Sequence, residues 1–164
     1  MNNIYISEEQ NKYLKENKGL LFEYFGQVSN PLTDGHILND LQIWVYGDDR
    51  QNFTPHCHVM KKDKSVEFEV SLIDWSVIRV KRGTPTKDMK KSFIRWLETE
   101  NSTFKGVLNK LVLFRDWDSN NPNNHLLEFC ERHKITEIGD RDLRKYLSSK
   151  KEERDKFYEY HKEF

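Results

Sequence analysis

The feature that most constrains the fold of this 164-residue chain is a short segment in which apolar and polar side chains alternate. Between residues 65 and 72 every second side chain is apolar, which is the period of a strand with one buried face. A shorter run at residues 59–61 precedes it, and the polar turn Lys62-Asp63-Lys64 separates the two. The pattern predicts an antiparallel β-hairpin.

Two histidines lie at the start of the first hairpin strand, directly after Pro55. Proline suits the first position of a strand because it has a fixed φ and no amide proton. Side chains at i and i+2 share a face, so His56 and His58 are predicted to lie together and Cys57 to face the opposite side. Two imidazoles placed in this way could share a metal ion, or act as acid and base on one substrate. His56 and His58 are therefore candidate metal ligands and candidate catalytic residues, with zinc as the candidate cofactor.

Other residues close in sequence could complete such a site. Asp48, Asp49 and His36 precede the histidines, and Asp49 is the third candidate catalytic residue. A metal site needs three or four ligands, whereas spacing joins only two here. A purely structural role is the alternative, in which the imidazoles hydrogen-bond the preceding loop. Cys57 is expected to be a small buried hydrophobe.

Composition narrows the class of protein. The chain is 36% hydrophobic and 13% aromatic, which is enough for a packed core. No apolar run approaches the length of a membrane span, and the first residues lack the apolar centre of a signal peptide. Two cysteines are too few for a disulfide scaffold, so we expect a cytoplasmic protein with no membrane partner.

Charge is unevenly distributed, although the net charge is zero. Residues 1–60 carry four basic and eight acidic side chains, whereas residues 61–95 carry ten basic and five acidic side chains. A neutral chain is not typical of a dedicated non-specific nucleic-acid binder. A local basic face is nevertheless expected, and it could contact nucleic acid or a protein partner.

That basic face lies on a further predicted strand, at residues 75–82. Arg79 and Lys81 alternate there with two aliphatic residues, and Arg82 follows them. Arg79, Lys81 and Arg82 are therefore the candidate contacts for a nucleic-acid or protein partner. The same residues could also be merely solvated, or could protect a sheet edge from pairing.

After residue 85 the pattern changes to that of helices. Thr86 is predicted to cap a helix that runs to Glu98, and Asn101 to open a second helix that runs through Trp117. A short helix is predicted at 125–133 and a highly charged one at 140–164. Because the charges of the last helix are mixed in sign, we expect it either to pack against the rest of the chain or to dimerise. Dimerisation would make the protein a homo-oligomer.

These patterns predict an α+β fold, with a small antiparallel sheet of three or four strands packed against helices. A capping-box pattern at Ser7 also predicts helical pieces near the N-terminus. We therefore divide the chain into an N-terminal helical extension at 1–40, an α+β core domain at 41–117 and a C-terminal helical extension at 118–164.

The run Thr54-Pro55-His56-Cys57-His58-Val59 resembles the Pro-Pro-His-Phe-His-Val signature of the bacterial family catalogued as domain of unknown function 4160. Thr54 replaces the first proline and Cys57 replaces the aromatic residue. Trp96, Leu111 and Trp117 resemble further family positions, so the resemblance covers about residues 41–117. It implies a small prokaryotic protein of the kind found in phage, mobile-element or toxin–antitoxin gene sets, and it assigns no activity.

Three functions are consistent with these observations. The first is an interaction module that contacts protein or nucleic acid through its basic face. The second is a small hydrolase or nuclease that uses His56 and His58, with or without a metal ion and an acid from Asp48 or Asp49. The third is a fold that a metal ion stabilises. The chain has no glycine-rich phosphate loop and no Gly-x-Ser-x-Gly motif, and Met60 stands where a histidine-triad hydrolase would have its third histidine.

Overall fold

A computed structural model of the chain describes residues 41–47 and 53–162. Within these ranges the fold is α+β, as predicted: a single four-stranded antiparallel sheet and four helices. The strands are neighbours in chain order: β1 (Leu41–Trp44), β2 (His56–Lys61), β3 (Glu67–Ser71) and β4 (Val77–Arg82). The helices follow as α1 (Lys87–Leu97), α2 (Asn109–Asn120), α3 (Leu126–Arg132) and α4 (Arg141–Lys162). The predicted N-terminal helices, together with His36, Asp48 and Asp49, lie outside the described residues.

The predicted hairpin is confirmed as β2 and β3. Its turn is closed by a hydrogen bond from the Lys61 amide to the Val66 carbonyl, at 3.0 Å. Lys64 has a φ of 63°, and the Asp63 carboxylate accepts hydrogen bonds from the amide and hydroxyl of Ser65. These bonds set the register in which Val59 lies opposite Phe68.

The alternation of β2 and β3 gives the sheet two different faces. Cys57, Val59, Phe68 and Val70 belong to the hydrophobic core that the sheet shares with the helices. The intervening side chains point to the opposite face and include His56, His58, Glu67 and Glu69, all of them buried. This second face therefore contains buried titratable groups. Such groups need hydrogen-bond, ion-pair or metal partners, because burying them alone is costly.

The helical layer begins as predicted, with Thr86 as the cap of α1. The Thr86 hydroxyl accepts a hydrogen bond from the Met89 amide at 3.1 Å. The prediction that Asn101 opens the next helix was wrong, since α2 begins at Asn109. The Asn101 side chain instead accepts hydrogen bonds from the amides of Thr103 and Phe104, which forms a loop.

The C-terminal segment packs into the same core as the sheet. Leu126 and Cys130 of α3 and Leu143 and Leu147 of α4 are buried members of that core. Beyond them, residues 155–161 of α4 are exposed. None of the helices in the described residues combines the length and apolarity that a membrane crossing requires.

Candidate metal centre

Strand pairing brings a carboxylate to the two histidines. His58 of β2 lies directly opposite Glu69 of β3, and His56 lies opposite Ser71, one pair further along the same face. Side chains of directly opposed residues are in contact, and those of diagonal neighbours are within reach. Glu69 is therefore placed between the two imidazoles by the backbone of the hairpin itself.

The three side chains converge on one point. Oε1 of Glu69 is 3.9 Å from Nε2 of His56 and 3.8 Å from Nε2 of His58, and the candidate ligand atoms all lie within 4.8 Å of one another. The relative exposure of the residues is 4% for each histidine and 3% for Glu69. Tetrahedral zinc with bonds of about 2.0–2.1 Å keeps its ligand atoms about 3.3 Å apart. Small side-chain rotations would therefore bring these three groups to bonding distance.

The ring of His56 is held with one nitrogen free for a ligand. Its Nδ1 lies 2.8 Å from the carbonyl oxygen of Thr54, to which it donates a hydrogen bond as Nδ1–H. In the neutral form of this ring Nε2 would carry the lone pair, and Nε2 lies 3.9 Å from Oε1 of Glu69. The rings of Phe53 and Trp117 pack beside the imidazole, at centroid distances of 5.1 and 5.4 Å. Histidine ligands of metals are normally oriented in this way, by a hydrogen bond from the second nitrogen to a carbonyl or carboxylate.

His58 is held in its neutral form. Burial, followed by the charges of His56, Lys81 and Arg79, lowers its pKa to about 3. Only neutral imidazole binds a metal, so this side chain needs no deprotonation at neutral pH. Within residues 41–47 and 53–162 its buried Nδ1 has no hydrogen-bond partner, which is costly and uncommon for a buried polar atom.

The basic residues of β4 lie on the same face of the sheet as the histidines. Arg79 is the register partner of Glu69. Nζ of Lys81 and Nη2 of Arg82 lie 3.7 and 3.6 Å from the carboxylate of Glu67. The three predicted partner-binding residues therefore share a face of the sheet with the two buried histidines.

Three asparagine side chains hold both ends of the loop that precedes the histidines. Each donates a hydrogen bond from Nδ2 to a backbone carbonyl: Asn120 to Val45, Asn121 to Tyr46 and Asn124 to Phe53. Asn124 is fully buried and also accepts a hydrogen bond from Arg132. This asparagine clamp fixes the entry to β2, and with it the position of His56.

Two parts of the site were not predicted from the sequence. Glu69 could have been found, because the turn at residues 62–64 sets a register that places it opposite His58. The asparagine clamp had no such signal, because its hydrogen bonds join residues 71–75 positions apart and leave no local sequence pattern. No family model, curated protein or solved structure matches this chain. The resemblance to the domain of unknown function 4160 family therefore stays a prediction.

Proposed function

We propose that the protein is a metal-dependent hydrolase whose divalent ion, most simply zinc, is bound by His56, His58 and Glu69. The observation that carries the proposal is the convergence of two imidazole nitrogens and a carboxylate oxygen within 4.8 Å on a buried face. Buried charges in proteins are paired or bind metals, and a lone carboxylate between two imidazoles fits the second case.

The described residues supply three ligands, a number that favours a catalytic metal over a purely structural one. Structural zinc sites are usually closed by four cysteine or histidine ligands, whereas catalytic sites have three protein ligands and one open position. Cys57 is the cysteine nearest in sequence, but it lies on the opposite face and is fully buried in the core. A zinc ion in such a site would lower the pKa of a bound water to about 7, which would make that water a nucleophile at neutral pH.

Each residue of the site would have a distinct role in binding or positioning the metal. His56 and His58 supply neutral nitrogen ligands, and Glu69 supplies the charge that offsets part of the cation. Thr54 fixes the tautomer of His56 through its carbonyl group. The packed rings around His56 limit its motion, and precise positioning of this kind is what a catalytic ligand requires.

Hydrolysis by tag-free protein tests the proposal. Metal content is measured first, and zinc-loaded protein is then assayed with p-nitrophenyl esters of phosphate and acetate. We expect near-stoichiometric zinc and turnover that a chelator abolishes. Glu69→Gln should abolish turnover while its circular dichroism spectrum matches that of the parent. Absence of zinc binding, or turnover that persists in Glu69→Gln, would overturn the proposal.

Self-association is a second candidate function, which one specific observation favours. Phe157, Tyr158 and Tyr160 near the end of α4 are 58%, 59% and 64% exposed. Residues 151–162 carry four acidic and four basic side chains, so two copies of this segment would not repel each other. We propose a second copy of the chain as the partner of this helix end.

Sedimentation velocity tests this second candidate. The parent should sediment as a dimer at micromolar concentration, and Phe157→Asp should sediment as a monomer. Lys151→Asp, a charge change in the same helix outside the aromatic group, is the matched control and should leave the dimer intact. A monomeric parent would exclude self-association through this helix.

A further inference from the structure

We infer that the metal centre acts on a phosphate ester, and that Arg79 binds the phosphate group beside the metal. This inference rests on the proposed hydrolase function and adds the chemical class of its substrate. It is based on the pairing of β4 with β3, which places Arg79 on the same face of the sheet as the two histidines. The sequence of β4 alone does not define that pairing.

Arg79 is placed at the centre by strand pairing. It is the register partner of Glu69, and the side chains of directly opposed residues on neighbouring strands share a face. The Arg79 side chain is exposed, so a ligand approaching the metal from solvent could reach it.

The other basic residues on this face already have a partner. Lys81 and Arg82 both lie beside the Glu67 carboxylate, and Arg82 also contacts the sulfur of Met60 at 3.5 Å. Among the described residues no hydrogen bond or ion pair involves the Arg79 side chain. In the part of the chain that the structure describes, Arg79 is therefore the basic residue of β4 on this face whose charge has no direct partner.

The balance of charge on this face points to an anionic substrate. Among the described residues, three basic side chains of β4 share this face with two carboxylates of β3, which is an excess of one positive charge before any metal binds. A divalent ion increases that excess, and mutual repulsion would weaken its binding unless an anion accompanied it. The site is thus suited to a metal and an anionic group together.

Phosphate fits this arrangement better than carboxylate. A divalent ion offset by Glu69 retains one positive charge, and Arg79 adds a second, which matches a phosphate monoester dianion. The planar fork of arginine donates two parallel hydrogen bonds to phosphate oxygens. In the reaction a water oxygen bonds to phosphorus, the ester P–O bond breaks and the alcohol leaves with a proton. Water is the only co-reactant that this step consumes.

The test compares Arg79→Gln with Lys90→Gln, which removes the same charge from an exposed position on α1. Zinc-loaded proteins are titrated calorimetrically with inorganic phosphate and, separately, with acetate. Loss of a hydrogen-bonded charge pair typically costs about 1.5–3 kcal/mol, so Arg79→Gln should weaken phosphate binding by roughly 10- to 100-fold. Lys90→Gln should stay within about twofold of the parent, because exposed charges at a distance are screened. Acetate should bind the parent more weakly than phosphate does.

Substrate assays separate the two sources of a phosphate ester. Turnover of p-nitrophenyl phosphate with dependence on Arg79 would support a small phosphomonoester, and turnover of bis-p-nitrophenyl phosphate would support a diester such as a nucleic-acid backbone. Equal phosphate binding by the Arg79→Gln and Lys90→Gln proteins would overturn the inference. So would zinc-dependent turnover confined to p-nitrophenyl acetate, since both results leave the metal centre intact. Absence of zinc from the parent would instead refute the hydrolase on which the inference rests.

Discussion

Nε2 of His58 lies 3.8 Å from Oε1 of Glu69, and the two residues are opposite each other in the β2–β3 ladder. Their approach is therefore set by backbone hydrogen bonds on both strands and does not depend on a loop. Sites built on strands hold their side chains more precisely than sites built on loops. This pair is the natural place to test whether the face binds metal.

Glu69→Gln should weaken zinc binding by at least about 100-fold, because loss of a ligand should exceed the 10–100-fold effect of removing an outer-shell partner. Glutamine has the same shape as glutamate but offers a neutral oxygen. Zinc affinity is measured by competition with a chromophoric chelator. Glu67→Gln, two residues earlier on the same face, is the control and should change affinity by less than about tenfold. Equal affinities for the two variants would exclude Glu69 as a ligand.

Asn124→Ala should lower the free energy of unfolding by about 2–3 kcal/mol, since it removes the hydrogen bond from Asn124 Nδ2 to the Phe53 carbonyl and the one from Arg132 to Asn124 Oδ1. Chemical denaturation measures this loss. Amide exchange at residues 53–56 should also accelerate, because the loop end is released. Asn120→Ala removes a longer hydrogen bond, of 3.2 Å, from a less buried side chain and should cost less. Equal effects of the two variants would contradict the assignment of Asn124 as the main anchor.

Lys110→Met should be destabilising. Nζ of this buried lysine lies 2.6 Å from Glu98 and 3.5 Å from Asp140, and it also pairs with Asp142. The Glu98 and Asp142 side chains are 59% and 30% exposed, so solvent compensates their charges once Lys110 is removed. We therefore expect a cost of about 1.5–3 kcal/mol, which is typical of lost hydrogen bonds between charged groups.

The control for this network is Lys150→Met, which breaks an ion pair with Glu153 in which both side chains are exposed. Exposed pairs contribute about 0–1 kcal/mol, so this variant should be close to the parent. Urea denaturation of the three proteins gives the comparison. A loss below about 1 kcal/mol for Lys110→Met would show that the network contributes no more than a surface pair.

Asp116 should make stability depend on pH. Burial raises the pKa of its carboxyl to about 7 from an ordinary value of 3.8, and the charge of Arg115 opposes the shift. The folded state therefore favours the protonated acid, so the stability it contributes is full below about pH 3.8 and is lost as pH rises through 7. Asp116→Asn mimics the protonated form and should be more stable than the parent at pH 9. The difference should shrink towards pH 4, and thermal denaturation at both pH values measures it. A difference that does not vary with pH would refute the raised pKa.

The hairpin and the faces of its strands could be predicted from the sequence because the pattern is local. The alternation at 65–72 and the turn before it place Cys57 in the core and both histidines on the other face, whatever the rest of the chain does. The Thr86 cap was predictable for the same reason, since its hydrogen bond spans three residues.

The start of α2 could not be predicted in this way. Residues 101–108 have apolar side chains that suit a helix, but a side-chain pair overrides that preference. Asn101 donates a hydrogen bond to Asn109 at 2.9 Å, and Asn109 donates to the carbonyl of Trp96 at 2.8 Å. These bonds join residues 8 and 13 positions apart, so the helix propensity of residues 101–108 does not predict them.

By itself the sequence determined the two histidines, their common face and the α+β class, because strand periodicity is a property of consecutive residues. Tertiary structure decided which carboxylate meets the histidines, and it placed Arg79 beside that carboxylate. It also brought three asparagines, about 70 residues away in the chain, to the loop before His56. The physical reason is that distances between segments depend on register and on core packing, which no single segment encodes.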